Sequence, residues 1–256
     1  MRSSSTGTST RSAPAPSVSV VPHADPTAPL GAPLLLLNLK AYTGCLGPGA
    51  MRMARSLEKL GQEHQVAVAI AAAAPDLGTL AEAVSIPVLA QHADNHPAGA
   101  STGWMVPESL LASGVQGSLL NHSEHPLEPL DMALTVERLT EVGLTPVVCA
   151  REEQEAALFA QTSRPPYLAV EPPELIGGKV SVSRARPDII SHSVLSVRRA
   201  SPGTHVLCGA GVQDGEDVRI ALELGAEGIL VASAVTTSPD PEKALKTLLS
   251  GFSERR

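Results

Sequence analysis

The first candidate for chemistry is a carboxylate at the end of an apolar segment, where the chain that follows is conformationally restricted. Residues 168–178 read LAVEPPELIGG, so Glu171 ends an apolar run and is followed at once by two prolines. Proline fixes its own φ and keeps the preceding residue extended, so the acid should project where a strand stops. Gly177 and Gly178 leave the far end of the segment free to move. The pattern predicts an acid–base group held rigidly beneath a hinged loop.

Polar side chains close several other apolar runs of the sequence. They stand at Asn38 and Lys40, at Gln91 and His92, and at His122, Ser123 and Glu124. A carboxylate base near a carbon-bound proton, with donors near the developing oxygen charge, is sufficient to transfer a proton next to a carbonyl group. This chemistry requires neither a metal nor a redox group, so we expect no cofactor.

Two later apolar runs lead into small residues instead. HVLC is followed by GAG at residues 209–211, and GILV is followed by Ala232 and Ser233, each at or just before a predicted helix. Unpaired backbone N–H groups and the positive end of a helix favour an anion without a charged side chain. We therefore expect a phosphorylated small molecule as the ligand. The expected phosphate-binding residues are Gly177, Gly209, Ala210, Gly211, Ala232 and Ser233.

These groups can meet only if a regular scaffold brings the ends of the runs together. Eight runs have strand length, namely LLLLNL, VAVAIA, PVLAQ, GSLLN, TPVVCA, YLAVE, HVLCG and GILVA. Between them, stretches such as AMRMARSLEKLG and PLDMALTVERLTEVG carry apolar residues three and four apart, which is typical of amphipathic helices. Strands that are apolar throughout are buried on both faces, as in a parallel sheet with helical crossovers.

This alternation predicts the α/β class and a (β/α)8 barrel, the TIM barrel, whose sites lie at the carboxyl ends of the strands. About 220 residues follow the N-terminal segment, close to the lower size limit of such barrels. An open doubly wound sheet is the alternative, but it would place a G-x-G-x-x-G phosphate loop after the first strand. The sequence there reads NLKAYTGCLGPG, which lacks that spacing, so the barrel is favoured.

The N-terminal segment has a different composition from the rest of the chain. Residues 1–32 consist mainly of Ser, Thr, Ala and Pro without apolar periodicity. Such a segment buries too little apolar surface to offset the entropy of ordering it, so we expect a disordered tail followed by a barrel domain over residues 33–256. The absence of an acid before Asp25 would also fit an organelle transit peptide.

The composition argues against several classes of partner. The net charge is −7 at pH 7 and the basic residues form no stripe, so we expect neither nucleic-acid nor membrane binding. No apolar run approaches the roughly 20 residues of a membrane span. Cys45, Cys149 and Cys208 fit neither a disulfide framework nor a zinc motif, which favours a reducing compartment, by default the cytoplasm.

The histidines and acids between residues 92 and 125 raise the question of a metal site. His92, Asp94, His96, His122 and His125 are the candidates. Their intervals match no compact zinc motif, so we expect no metal.

At these residues the sequence resembles the triosephosphate isomerase family, in particular its short archaeal-type branch. The resemblance runs from Leu34 to Ser250 and is carried by NLK, AQH, STG, LLNHSE, VVCA, VEPPELIG, CGAG and GILVAS, in this order. It implies an aldose–ketose isomerase that interconverts glyceraldehyde 3-phosphate and dihydroxyacetone phosphate, in glycolysis and gluconeogenesis. It also implies a homo-oligomer, dimeric or tetrameric.

The resemblance implies a role for each candidate catalytic residue. Glu171 would be the base that moves a proton between adjacent carbons, and His122 would be a neutral electrophile that polarises the substrate carbonyl. Lys40 would hold the anionic substrate electrostatically, and Asn38 would orient it. All four positions match the family's motifs.

Two neighbours of His122 are expected to support the site. Ser123 and Glu124 follow it where the fourth helix is expected to begin, and a helix N-terminus disfavours the imidazolium form. Glu124 is better interpreted as a structural partner of Lys40 than as a second base.

The sequence departs from the family pattern at three places. His125 and Pro126 stand where an arginine usually follows Ser-Glu, and Lys179 stands where the hinge usually has a second glycine. Trp104 lies in the loop that subunits of this family exchange, where an exposed indole could anchor an interface. Two alternatives therefore stay open: isomerisation of a related short-chain sugar phosphate, such as a tetrulose phosphate, and a non-catalytic barrel in an assembly or regulatory subunit.

Overall fold

In a computed structural model of the protein, the described residues are 30–172 and 181–253, and they form a closed (β/α)8 barrel. Each of the eight apolar runs forms a parallel strand, and β8 pairs with β1 to complete the circle. Closure excludes the open doubly wound sheet. The strands are β1 (Leu34–Asn38), β2 (Ala67–Ala72), β3 (Val88–Ala90), β4 (Gly117–Leu120), β5 (Thr145–Ala150), β6 (Tyr167–Val170), β7 (His205–Cys208) and β8 (Gly228–Val231).

Helices connect the strands. The described helices are α1 (Pro48–His64), α2 (Leu77–Ala83), α3 (Pro107–Ala112), α4 (Pro129–Glu141), α5 (Glu153–Thr162), α6 (Val182–Ala185), α7 (Pro187–Ala200), α8 (Gly215–Glu223), α9 (Ser233–Thr236) and α10 (Pro241–Ser253). The amphipathic helices expected from apolar spacing are confirmed in α1 and α4. Five of the helices begin with proline, whose missing N–H would have no partner at that position. Within the described ranges, no helix combines the length and the apolar character needed to cross a bilayer.

The buried side chains form two layers, one inside the barrel and one between the sheet and the helices. Along β1, Leu34 and Leu36 belong to the interior layer, whereas Leu35 and Leu37 pack towards the helices. This alternation is that of Cβ atoms along a strand. A strand buried on both faces is apolar at most positions, which is why the strands read as nearly continuous apolar runs.

The interior rows continue to the C-terminal rim of the barrel, where polar residues replace apolar ones. On β6, Tyr167 and Ala169 face the interior, so the same alternation directs Glu171 inwards. On β1, the row that contains Leu36 continues at Asn38. Strand alternation therefore makes the polar strand ends converge on the barrel axis.

The structure describes the chain from residue 30, a few residues before the expected start of the barrel domain at residue 33. Leu30, assigned to the tail from the sequence, is buried and belongs to the interior layer. The carbonyl of Gly31 accepts a hydrogen bond from the hydroxyl of Tyr167 at 3.1 Å. A single buried leucine among prolines and glycines gives no periodic signal, so the sequence pattern misses it. Residues 1–29 lie outside the described part of the chain.

The fourth helix also begins later than expected. Helix α4 starts at Pro129 rather than directly after His122. The residue before a proline avoids the helical region, and Glu128 is indeed extended, with φ −63° and ψ 142°. The segment between His122 and α4 is therefore a loop, and its contacts rather than a helix terminus set the environment of the imidazole.

Candidate active site

The polar strand ends meet in one pocket at the C-terminal rim. Asn38, Lys40, His122 and Glu171, which come from β1, β4 and β6 and the loops that follow them, all line it. The strand ends that the sequence singles out as candidate catalytic positions are thus brought together in space.

Most of the expected phosphate-binding residues line the same pocket. They are Gly209, Gly211, Ala232 and Ser233. Ala210 differs from them, because it is fully buried and its carbonyl accepts the N–H of Val182 at 3.0 Å. Gly177 lies outside the described residues, as do Gly178 and Lys179 of the predicted hinge.

Glu171 follows β6 directly and is 5% exposed. Its N–H donates to the carbonyl of Ala150 at 2.7 Å, which extends the β5–β6 ladder by one bond and fixes the backbone before Pro172. Burial raises the pKa of the carboxyl to about 7, while a hydrogen bond from the thiol of Cys149 and the charge of Lys40 act in the opposite direction. Among the described residues, none bonds to Oε2. A buried carboxylate of this kind is suited to accept a proton near neutral pH.

Gly209 makes room for that carboxylate. A Cβ at this position would lie 2.3 Å from Cγ of Glu171 and 3.0 Å from its Cδ. The N–H of Gly209 donates to the carbonyl of Val170 at 2.9 Å, so its backbone is held against β6. The glycine is required by its neighbour's side chain rather than by an unusual φ.

His122 faces the carboxylate across the pocket. Its Nε2 lies 3.8 Å from Oε2 of Glu171, and its Nδ1 accepts the N–H of Glu124 at 3.1 Å. Because Nδ1 accepts a hydrogen bond, the neutral ring carries its proton on Nε2. Burial, together with the charge of Lys40, lowers the pKa of the imidazole. These causes replace the helix N-terminus expected from the sequence, and the ring can act as a neutral donor.

Lys40 lies at the rim beside the imidazole. Its Nζ is 2.7 Å from Oε1 of Glu124, so the ion pair expected from the sequence is present. The side chain of Lys40 is 12% exposed and that of Glu124 is 60% exposed, so solvent screens the pair and leaves the lysine's charge available to an anion. Lys40 has a φ of 50°, in the left-handed region that few non-glycine residues adopt.

Asn38 is held by two donors on its oxygen. Its Oδ1 accepts the N–H of Lys40 at 3.0 Å and Nε2 of Gln91 at 3.1 Å. Nε2 of Gln91 also donates to the carbonyl of Lys40 at 3.0 Å. Because Oδ1 accepts both bonds, Nδ2 is the group that Asn38 can offer to a ligand. Gln91 therefore secures both the amide of Asn38 and the left-handed turn of Lys40.

The anion-binding part of the pocket depends on two backbone features. Gly211 has a φ of 67°, which glycine adopts without strain, and Ser233 is the first residue of α9, where N–H groups have no partner within the helix. The start of α8 is different, because Asp214 accepts the N–H of Asp217 at 2.9 Å and caps that helix. The amides of Gly211 and Ser233 are therefore better candidates for phosphate than those of α8.

Three residues support the site although the sequence pattern assigns them no role in it; of these, only Gln91 stands out there, as a polar strand end. Gln91, Asn121 and Cys149 occupy interior-facing positions at the ends of β3, β4 and β5. Strand alternation provides the signal that could have found them, since each stands two residues after an interior residue of its strand. Their roles depend on contacts between strands, which the sequence does not display.

The remaining histidines do not converge on one point. Nε2 of His92 lies 2.9 Å from Oδ1 of Asp94, and its ring stacks on His125 with centroids 4.0 Å apart. His96 stacks on Trp104 instead. Over residues 30–172 and 181–253, no group of three or more His, Cys, Asp or Glu side chains is arranged to hold a metal ion.

Comparison with known proteins agrees with this geometry. The family model described as triosephosphate isomerase matches residues 33–248. A triosephosphate isomerase of Methanoculleus marisnigri is 42% identical over 221 residues, which cover 86% of this chain and 99% of that protein. Those of Methanothermus fervidus and Metallosphaera sedula are 40% identical over 218 residues (85% and 98% covered) and 39% identical over 219 residues (86% and 95% covered). The chain belongs to the triosephosphate isomerase family.

Proposed function

We propose that the protein interconverts glyceraldehyde 3-phosphate and dihydroxyacetone phosphate. The observation that carries the proposal is the pair formed by Glu171 and His122, a buried carboxylate with a pKa of about 7 whose Oε2 lies 3.8 Å from an imidazole Nε2. The same pocket contains Lys40 and the backbone of Gly211 and Ser233. Family membership supports the choice of a triose phosphate as substrate.

In the proposed reaction, the carboxylate of Glu171 removes the proton from the carbon next to the substrate carbonyl. The electron pair of the broken C–H bond forms the C=C bond of an enediolate, and negative charge moves to the former carbonyl oxygen. Nε2–H of His122 donates its proton to that oxygen. The ring then recovers a proton from the hydroxyl on the adjacent carbon. Glu171 returns its proton to the adjacent carbon, so the product is an isomer and no other reactant is consumed.

The other pocket residues stabilise the charge that develops. Lys40 contributes a fixed positive charge, which lowers the energy of both the dianionic phosphate ester and the enediolate. The amide of Asn38, oriented by Gln91, supplies a second donor. The neutral imidazole carries its proton on Nε2, so it can donate to the enediolate oxygen and then take a proton from the oxygen on the adjacent carbon.

An enzyme assay on the purified full chain tests the proposal. Glyceraldehyde 3-phosphate is supplied and the ketose product is followed through a coupled dehydrogenase. We expect turnover by the wild type and a loss of roughly 10³-fold in kcat for Glu171→Gln, because the amide cannot accept the proton. Glu152→Gln is the matched control, since Glu152 is an exposed glutamate just beyond the end of β5.

Two results would overturn the proposal. The first is an inactive wild type that remains folded, and the second is turnover of a four-carbon ketose phosphate with none of the triose phosphates. Equal activity of Glu171→Gln and the wild type would show that Glu171 is not the base, but it would leave the proposed substrate unchanged. Loss of activity in Glu152→Gln as well would point to a general effect of the lost charge.

We further propose that the protein self-associates through the loop between Asp94 and Met105. The N–H of Asp94 donates to the carbonyl of Met105 at 2.9 Å and closes the base of this loop. Trp104 is 50% exposed near its end, and large exposed aromatics are common anchors of protein interfaces. Light scattering should give at least twice the mass of one chain, reduced by Trp104→Ser but not by Leu195→Ser, an equally exposed apolar residue on α7. A monomeric wild type would contradict this proposal.

A further inference from the structure

Asn121 is the residue that joins β4 to His122, and its conformation is unusual. It is 6% exposed and has a φ of 57°, which places it in the left-handed region. Non-glycine residues adopt this region at a cost of about 1 kcal/mol or more, and asparagine tolerates it better than most. A strained residue next to the candidate electrophile calls for a functional explanation.

Both polar atoms of the Asn121 side chain are bonded, and each bond is made to a different part of the rim. Nδ2 donates to the carbonyl of Cys149 on β5 at 2.9 Å. Oδ1 accepts the N–H of Leu127 at 2.9 Å, six residues further along the chain. The second bond closes the loop that contains His122, and the first fastens that closed loop to the neighbouring strand.

The strand to which Asn121 is bonded also carries the contacts of the base. The thiol of Cys149 lies near enough to Glu171 to lower the pKa of its carboxyl, and the next carbonyl along the strand, that of Ala150, accepts the N–H of Glu171 at 2.7 Å. Asn121 is therefore the side chain that connects the His122 loop to the strand end against which Glu171 is fixed.

We propose that Asn121 is a positioning residue, which sets the separation of 3.8 Å between Nε2 of His122 and Oε2 of Glu171. This inference deepens the proposed function and rests on it. Asparagine combines a donor for the carbonyl of Cys149, an acceptor for the N–H of Leu127 and tolerance of the left-handed backbone. Aspartate keeps the acceptor and loses the donor, whereas glycine keeps the backbone and loses both bonds.

Two variants separate positioning from simple stability. In Asn121→Gly the left-handed backbone is unstrained, and in Asn121→Asp the loop stays closed through Leu127. We expect kcat to fall about tenfold in the aspartate variant and between about tenfold and 100-fold in the glycine variant, with KM within about twofold of the wild type. The inhibition constant for inorganic phosphate should stay unchanged, because Gly211 and Ser233 lie on other strand ends. Gln65→Gly is the matched control, since Gln65 has the same φ of 57° but caps α1.

The outcome is decided by kinetics and by structure independently. Urea unfolding establishes that each variant is folded, and if the glycine variant is not, the aspartate variant decides. A kcat within twofold of the wild type in the folded variants would overturn the inference, as would equal losses in kcat and in phosphate affinity. If the wild type itself were inactive, the proposed function would fail. Crystal structures of the variants would then decide the inference, which requires the distance from His122 to Glu171 to change by roughly 1 Å.

Discussion

The two ends of the barrel interior are built from the same strands but bury very different groups. At the N-terminal end, the interior is filled by Leu30, Leu34 and Tyr167, and the one hydroxyl among them bonds to the carbonyl of Gly31. At the C-terminal end, the same interior rows finish in Asn38 and Glu171. The first end is apolar with its polar atom satisfied, whereas the second buries a carboxylate.

The described non-glycine residues with positive φ are divided between strand ends and helix ends. Lys40 and Asn121, which follow the carboxyl ends of β1 and β4, are both left-handed. The other described non-glycine residues with positive φ, Gln65 and Arg164, follow the ends of α1 and α5, where left-handed residues commonly terminate helices. Strain at the strand ends has no such local reason, and at both positions the side chain lies in or next to the candidate site.

A single fold thus places tight packing at one end of the barrel and reactive groups at the other. The N-terminal end can be packed for stability because no ligand has to enter there. The C-terminal end keeps a poorly solvated carboxylate whose ionised form is destabilised by burial, and that same destabilisation makes it a base near neutral pH. Changes at the two ends should therefore have opposite consequences for stability and for activity.

The largest effect is expected at the N-terminal end. Tyr167→Ala should lower the free energy of unfolding by about 4 kcal/mol, because it removes a fully buried aromatic side chain and leaves a cavity. The kcat of the folded fraction should stay within twofold of the wild type. Urea unfolding and an assay at the same protein concentration measure the two quantities.

Tyr167→Phe serves as the control for this change. It removes only the hydroxyl that bonds to Gly31 and should lower the free energy of unfolding by about 1 kcal/mol. A large loss of kcat in either folded variant would contradict this separation, because packing at the N-terminal end of the barrel would then control activity at the C-terminal end.

At the C-terminal end the change in stability should have the opposite sign. The folded pKa of Glu171, about 7, lies above the ordinary value of 4.5. The folded state therefore binds more protons than the unfolded state between these pH values, so its stability falls as pH rises through them. With about 1.4 kcal/mol for each tenfold change in the dissociation constant, ionisation of this buried group destabilises the fold by about 3 kcal/mol above pH 7.

Glu171→Gln tests this sign, because the amide never ionises. We expect it to be about 3 kcal/mol more stable than the wild type at pH 8 and nearly equal to it at pH 4.5. Urea unfolding at both pH values gives the two differences. A variant that is less stable than the wild type at pH 8 would show that the carboxylate contributes to stability after all.

Crowding of the base should reduce activity without a comparable loss of stability. In Gly209→Ala the new Cβ would meet Cγ of Glu171 at 2.3 Å, so the carboxylate must move. A displacement of about 1 Å should lower kcat by roughly 100-fold. Gly203→Ala is the control, because no atom lies within 4 Å of its added Cβ, and it should leave kcat unchanged. Equal kcat values in the two variants would contradict the position assigned to the base.

The smallest expected effect is the pH dependence of the wild type. The carboxylate must be ionised to accept a proton, so kcat/KM should rise with pH through a midpoint of about 7 and level off above it. At pH 6 the value should be about tenfold below the plateau. Burial lowers the pKa of His122, so protonation of the imidazole should add no second limb at or above the midpoint. A midpoint near 4.5 would mean that burial does not control the base in the working enzyme.

Much of this architecture follows from local sequence pattern. The eight apolar runs predict the eight strands because both faces of each strand are buried, and such burial favours an apolar residue at nearly every position. The polar residue at the end of a run predicts a site because strands of a parallel barrel all end at one rim. Asn38, Lys40, His122 and Glu171 are found in this way.

Other features depend on residues that are distant in the chain. Gln91 bonds Asn38 across 53 positions, and Asn121 bonds Cys149 across 28. Neither contact leaves a periodic trace in the sequence. The burial of Leu30, and the loop that delays α4 to Pro129, likewise depend on packing and proline geometry rather than on apolar spacing. The sequence by itself determined the strands, their order and the chemistry available at their ends, because these depend on local pattern. Only the tertiary structure decided the neutral state of His122, the raised pKa of Glu171 and the distance between them, because burial and hydrogen bonding are properties of the assembled rim.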